Sequence, residues 1–145
     1  VWVYDPYLPA EDAERLGAVK AELDTVLAEC PVISIHLPVT DETLRMIGPR
    51  ELSLIQDGAV FVNTARSLVV DQDALLAELQ KGRFWAALDV FDQEPLPTDH
   101  PYRSLDNVLL TPHVAGLTMD SYRGLMALAI DEIEREHAGV LTSNV

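Results

Sequence analysis

The chain has 145 residues and carries 10 basic against 24 acidic side chains, a formal net charge of −14. Its 48% hydrophobic and 23% charged residues give a globular composition, at a length that suits one domain with a real core. The charge argues against nucleic acid and membrane surfaces, which need clustered Lys and Arg, and a single cysteine, Cys30, excludes an internal disulfide and a cysteine-rich zinc site.

Short apolar runs alternate with helical patterns along the chain. Val1 to Tyr4 reads as a strand that breaks at Asp5-Pro6, because the residue before proline avoids the α region. Pro9 to Leu16 forms a weak acidic helix, Gly17 to Lys20 a short strand, and Asp24 to Glu29 one or two helical turns. Val32 to Leu37 is a strand stopped by Pro38. Pro49 to Gln56 places Leu52 and Ile55 at helical spacing, with Pro49 suited to the first helical position. Ala59 to Val62 is the next strand. Asp71 caps a helix bearing Leu75, Leu76 and Leu79, which Lys81-Gly82 ends. Trp85 to Val90 and Val108 to Leu110 are the last strands. Tyr122, Leu125, Met126, Ala129, Ile130 and Ile133 then form one apolar helical stripe, with Thr118 as N-cap and Gly139 as stop.

Apolar strands separated by helices predict an α/β fold, a doubly wound parallel sheet covered on both faces. Ligands bind such sheets at the carboxyl ends of the strands. Ionisable and polar groups collect there: Asp5, His36, Asn63 to Arg66, Asp89 to Glu94, and Thr111 to Gly116. Each has an ordinary reading as well. Asp5 before proline suits a turn, His36 a half-buried strand end, Arg66 a surface cation and Glu94 a loop acid. Together they suit reduction of a 2-oxo acid. Arg66 offers a planar fork for a carboxylate. His113 supplies a proton, and Glu94 is the carboxylate that favours its charged form.

His36-Leu37-Pro38 with Thr43, Asn63-Thr64-Ala65-Arg66, Ala87 to Phe91 with Glu94-Pro95, and Thr111 to Gly116 make the sequence recognisable. From Asp5 through the last helix it resembles the nucleotide-binding domain of the D-isomer-specific 2-hydroxyacid dehydrogenases, a Rossmann-like fold. The resemblance implies Arg66, Glu94 and His113 as the catalytic set and NAD as cofactor. It places Asp5 and Pro6 at the adenosine, and His36, Leu37, Pro38, Thr43, Thr64 and Ala65 along the cofactor. Asp89 would hold the nicotinamide carboxamide beside Arg66, His113, Ala115 and Gly116. No metal is implied. Ser67 departs from the family's usual glycine, and is tolerated if the backbone there needs no positive φ.

The seven glycines (17, 48, 58, 82, 116, 124 and 139) contain no Gly-x-Gly-x-x-Gly. The fold is therefore expected to be incomplete at the N-terminus, without its first strand, phosphate loop and following helix. That strand would lie centrally, in the order 3-2-1-4-5-6. Residues 1–139 are expected to form a partial NAD-binding domain, and 140–145 the return toward a substrate domain. The expected activity is NAD-linked oxidoreduction of a small 2-hydroxy or 2-oxo acid by a cytoplasmic homodimer. The alternative is a catalytically silent domain used for assembly, as in corepressors that share this fold. Asp5 favours NAD, because a carboxylate bonds a free 2′-hydroxyl and repels a 2′-phosphate.

Overall fold

A computed structural model describes residues 1–140. The expectation for 140–145 falls, beyond Val140, outside the described residues. The chain divides into two compact units, Val1–His113 and Val114–Val145.

The first unit runs β1 (Trp2–Val3), α1 (Ala10–Arg15), β2 (Val19–Lys20), α2 (Leu23–Glu29), β3 (Val32–Ile35), α3 (Pro49–Leu54), β4 (Val60–Asn63), α4 (Gln72–Gln80), β5 (Trp85–Leu88) and β6 (Val108–Leu110). Short 3-10 turns at Ser67–Val69 and Pro101–Ser104 were not expected from the sequence. The predicted local signals are in place. Asp71 Oδ1 accepts the Ala74 N–H at 3.0 Å to cap α4, and Gly82 leaves that helix at φ 70°. Pro49 is the first residue of α3, and Glu51 Oε2 accepts the Gly48 N–H at 3.1 Å.

All pairing is parallel, in the order β3-β4-β5-β6. Ile33, Phe61 and Ala86 share one face, in register across β3 to β5. With Ile35 and Leu88 they pack against Leu27 of α2, Leu52 of α3 and Leu75 and Leu79 of α4. The alternate residues face the other way, and of these Val32, Trp85 and Leu109 are exposed. Helices α2 to α4 therefore all pack on this one face. The cause is topological. The crossovers β3 to β4 and β4 to β5 advance across the sheet in the same direction, so right-handed connections set α3 and α4 on one side.

β1 and β2 form a separate parallel pair, with Trp2 opposite Val19 and Val3 opposite Lys20. Among the described residues β1 has no partner on its other edge, and β3 pairs only with β4. Between them lies a cleft of about 660 Å³, walled by residues of 1–5 and 31–37. It stands where the sequence expectation puts a central strand.

In the second unit α5 (Met119–His137) starts at Thr118, whose Oγ1 accepts the Ser121 N–H at 3.0 Å. It ends at Gly139, at φ 68°, as the sequence predicts. Tyr122, Leu125, Met126, Ile130 and Ile133 are exposed along it, and no helix among the described residues is long and apolar enough to cross a membrane.

Candidate active site

Parallel strands bring their carboxyl ends to one edge, so residues far apart in sequence meet there. Asp5 follows β1, His36 follows β3, Thr64 to Arg66 follow β4, Asp89 follows β5, and Thr111 to His113 follow β6.

The best-defined pair is Glu94 and His113. His113 Nδ1 lies 2.7 Å from Glu94 Oε2, with the two side chains 48% and 36% exposed. The other carboxylate oxygen, Oε1, accepts the Phe91 backbone N–H at 2.9 Å. These two bonds hold the Glu94 carboxyl below the usual carboxylate range, the bond to His113 contributing most. His113 has a φ of 55°, in the left-handed region that residues other than glycine adopt at a cost. Such strain at an exposed residue does nothing for the core, and it aims the ring at the carboxylate. The pair borders a cleft of about 310 Å³ whose apolar wall includes Phe91, Leu96 and Leu110. Arg103 fixes the near rim, donating to the Leu96 and Pro97 carbonyls at 2.8 Å each. Chemically the pair joins an imidazole to an anchored carboxylate, an arrangement that can pass a proton.

Arg66 stands at the same edge but lines neither this cleft nor the one at Asp5. Its Nη1 donates to the Ala65 carbonyl at 2.6 Å, and it makes no ion pair among the described residues. Asn63 shapes its turn, a role that the sequence reading missed. The Asn63 side chain is buried, donating to the Arg66 carbonyl and accepting the Ala65 N–H, both at 3.0 Å. A polar residue closing an apolar strand run was the available signal. Ser67 opens a 3-10 turn without positive φ, so serine in place of glycine carries no backbone strain. Asp89 is buried, accepts from the Thr111 hydroxyl, and takes the Asn63 carbonyl on its own N–H at 3.0 Å. The ends of β4, β5 and β6 are thereby tied together.

Asp5, Pro6, His36, Leu37, Pro38 and Thr43 all line a single cleft of about 630 Å³, within the usual range for small-molecule sites. Asp5 Oδ1 accepts the Tyr7 and Leu8 N–H groups at 2.8 and 3.2 Å, so the turn reading holds. Its Oδ2 has no partner among the described residues, and remains available to a ligand hydroxyl. His36 Nε2 bonds the Ser34 hydroxyl at 2.8 Å. It is exposed rather than half-buried, because its ring leaves the sheet at the strand end. Thr43 donates to the Pro38 carbonyl at 2.6 Å, closing the turn beside the cleft. Thr64 is exposed and Ala65 half-buried at the β4 end. Ala115 and Gly116 belong to the second unit, in the turn where Leu117 N–H meets the Val114 carbonyl at 2.9 Å. No group of His, Cys, Asp and Glu among the described residues could hold a metal.

Residues 1–115 match the family model for the D-isomer specific 2-hydroxyacid dehydrogenase, NAD binding domain. The chain belongs to this family. It is 42% identical over 144 residues to glyoxylate/hydroxypyruvate reductase B of Yersinia enterocolitica, which covers 98% of this chain and 44% of the relative. A D-lactate dehydrogenase of Aquifex aeolicus, solved with NAD and lactic acid, is 35% identical with a TM-score of 0.79. The match covers 96% of this chain and 46% of that one. A D-isomer specific 2-hydroxyacid dehydrogenase of Xanthobacter autotrophicus Py2, solved with NADPH and MES, is 34% identical with a TM-score of 0.80. There the match covers 99% of this chain and 58% of that one. The chain thus spans less than half the length of the curated relatives it matches. The Rossmann-type α/β fold and the NAD-binding family are as the sequence led us to expect.

Proposed function

We propose that residues 1–139 are the partial NAD-binding domain of an enzyme that interconverts a small 2-oxo acid and its 2-hydroxy acid. The observation that carries this reading is the Glu94–His113 pair, anchored by the Phe91 N–H and built on a strained histidine backbone at the ligand edge of the sheet.

The residues present suit the two ends of the cofactor. The Asp5 cleft has the size and the unpartnered carboxylate oxygen for an adenosine ribose, with Pro6, His36, Leu37, Pro38 and Thr43 around it. Thr64, Ala65 and Asp89 are assigned to the rest of the cofactor, toward the nicotinamide. Residues 1–140 hold no Gly-x-Gly-x-x-Gly phosphate cradle. Bound nicotinamide supplies the hydride. Arg66 pairs with the substrate carboxylate through its two-pronged guanidinium. In reduction, protonated His113 gives its proton to the carbonyl oxygen as that oxygen gains charge, and the product is the hydroxy acid. In oxidation, neutral His113 takes the hydroxyl proton. Glu94 keeps the ring oriented through its bond to Nδ1. A homodimer in the cytoplasm, with no nucleic acid or membrane partner, completes the proposal. The charge of −14 supports the last point.

The test is a panel of 2-oxo acids with NADH on the intact protein. Reduction of at least one small 2-oxo acid is expected. An intact, folded protein that binds NADH and reduces none would reject the reading.

A further inference from the structure

This inference rests on the reading of the Asp5 cleft as the adenosine end of the site. The loops after β1 and β3 are joined across that cleft by one side-chain bond, in which the Tyr7 hydroxyl donates to Glu42 Oε2 at 2.5 Å. Each end of the bond is separately fixed. Asp5 Oδ1 holds the backbone of Tyr7 and Leu8, and Lys20 Nζ donates to the Leu8 carbonyl at 2.7 Å. On the other side, the Thr40 N–H donates to Thr43 Oγ1 at 2.8 Å, and that hydroxyl donates to the Pro38 carbonyl. Tyr7 is 76% exposed, so the link does nothing for the core. The bond to Glu42 raises the Tyr7 hydroxyl above its ordinary pKa, and tyrosine stays a donor throughout the neutral range. Three carboxylates, Asp5, Asp41 and Glu42, line the cleft, and no lysine or arginine does.

Cofactor choice differs within the family, since one similar structure holds NAD and another NADPH. It must therefore be set by residues particular to each chain. We propose that Glu42, held in place by Tyr7, is a specificity-determining residue that acts with Asp5 against a 2′-phosphate. Asp5 has one free oxygen to accept the ribose hydroxyl. Glu42 contributes charge alone, fixed at the rim by a neutral donor that does not cancel it. A dianionic phosphate entering this cleft meets negative potential from both loops, while the uncharged 2′-hydroxyl of NADH does not.

The test is fluorescence titration of NADH and NADPH against the intact protein, for wild type, Asp5→Ser, Glu42→Gln and Tyr7→Phe. Glutamine keeps an oxygen for the Tyr7 hydroxyl and removes only the charge. Glu42→Gln should tighten NADPH about three- to tenfold, and the gain should shrink in about 0.5 M salt, as screening requires. Its NADH affinity should change less than about twofold, because no hydrogen bond to the ribose is lost. Tyr7→Phe should give part of the same NADPH gain, since the released carboxylate swings into solvent. Asp5→Ser should weaken NADH as well as relax the discrimination. If Asp5→Ser alters the NADPH to NADH ratio and Glu42→Gln does not, the inference is overturned and the adenosine cleft stands. If Asp5→Ser leaves both affinities unchanged, the cleft is not the adenosine site, and the inference falls with that reading.

Discussion

Replacing Glu94 by Gln removes one charge beside His113 and keeps the side chain's shape. The structure also dictates which way the amide turns. One Glu94 oxygen accepts the Phe91 N–H at 2.9 Å, and only the amide oxygen of Gln can replace it there. The NH₂ group is then presented to His113 Nδ1, where it donates to a neutral ring and opposes a protonated one. Charge loss and hydrogen-bond reversal both favour neutral His113. A unit charge about 4 Å away is worth about 1 kcal/mol in bulk water and about 4 kcal/mol at a protein surface. With side chains 48% and 36% exposed, screening holds the effect near the lower figure. The assay is kcat/KM against pH for the intact protein in both directions. Oxo-acid reduction should lose rate at a lower pH than in wild type, and hydroxy-acid oxidation should slow at every pH, because the neutral ring favoured by the amide carries its proton on Nε2 and has no site for the hydroxyl proton. Both directions lose rate because one ring serves them. A profile left in place by Glu94→Gln would detach Glu94 from His113 and reduce it to a partner of the Phe91 N–H.

Asn63→Ala leaves the Ala65 N–H and Arg66 carbonyl without their buried partner and should cost about 2–4 kcal/mol in urea unfolding, with kcat falling as Arg66 loses its position. Wild-type stability would show that water replaces the amide. Leu75→Ala empties a fully buried site in the core and should cost about 2–5 kcal/mol; a loss below about 1 kcal/mol would mean that α4 closes on the cavity. Hydrogen bonds from Lys81 and Arg83 hold Glu78 below its ordinary value of 4.5. Because the folded-state value is the lowered one, this stabilisation is complete above the ordinary value and is lost as pH falls through the folded one. Unfolding free energy measured below pH 4.5 should therefore fall less steeply in Glu78→Gln than in wild type, and identical acid limbs would exclude Glu78 as a source of acid sensitivity.

Most of what the sequence disclosed about the fold was local chemistry. Asp71 and Thr118 read as caps because a side-chain oxygen needs only the N–H groups of the next turn, and both make those bonds. The stops at Gly82 and Gly139 are equally local. The strands ran two residues shorter than the apolar runs at Leu37 and Val90, where side chains leave the sheet to shape the site. That α2 to α4 all take the same face was hidden, because an apolar strand does not show which side its crossover helix will cover. Asn63 was quoted as part of a motif, but its anchoring of the Arg66 turn depends on burial, which composition does not show. The Tyr7–Glu42 link spans 35 positions and exists only because the fold sets the two loops face to face. By contrast, the Glu94–His113 pair, 19 residues apart, was accessible from chemistry, since a proton-donating histidine calls for a carboxylate at the same sheet edge.

The most direct test of the proposed activity is steady-state 2-oxo acid reduction by the intact protein with NADH, comparing wild type, His113→Gln and Arg66→Lys. His113→Gln should lower kcat by about 10²–10⁴-fold, the range for a lost general acid. Arg66→Lys should raise KM and lower kcat together, because a point charge cannot reproduce the two-pronged grip on a carboxylate. Turnover by His113→Gln at the wild-type rate would contradict the assignment of the proton donor, and with it the account of this site.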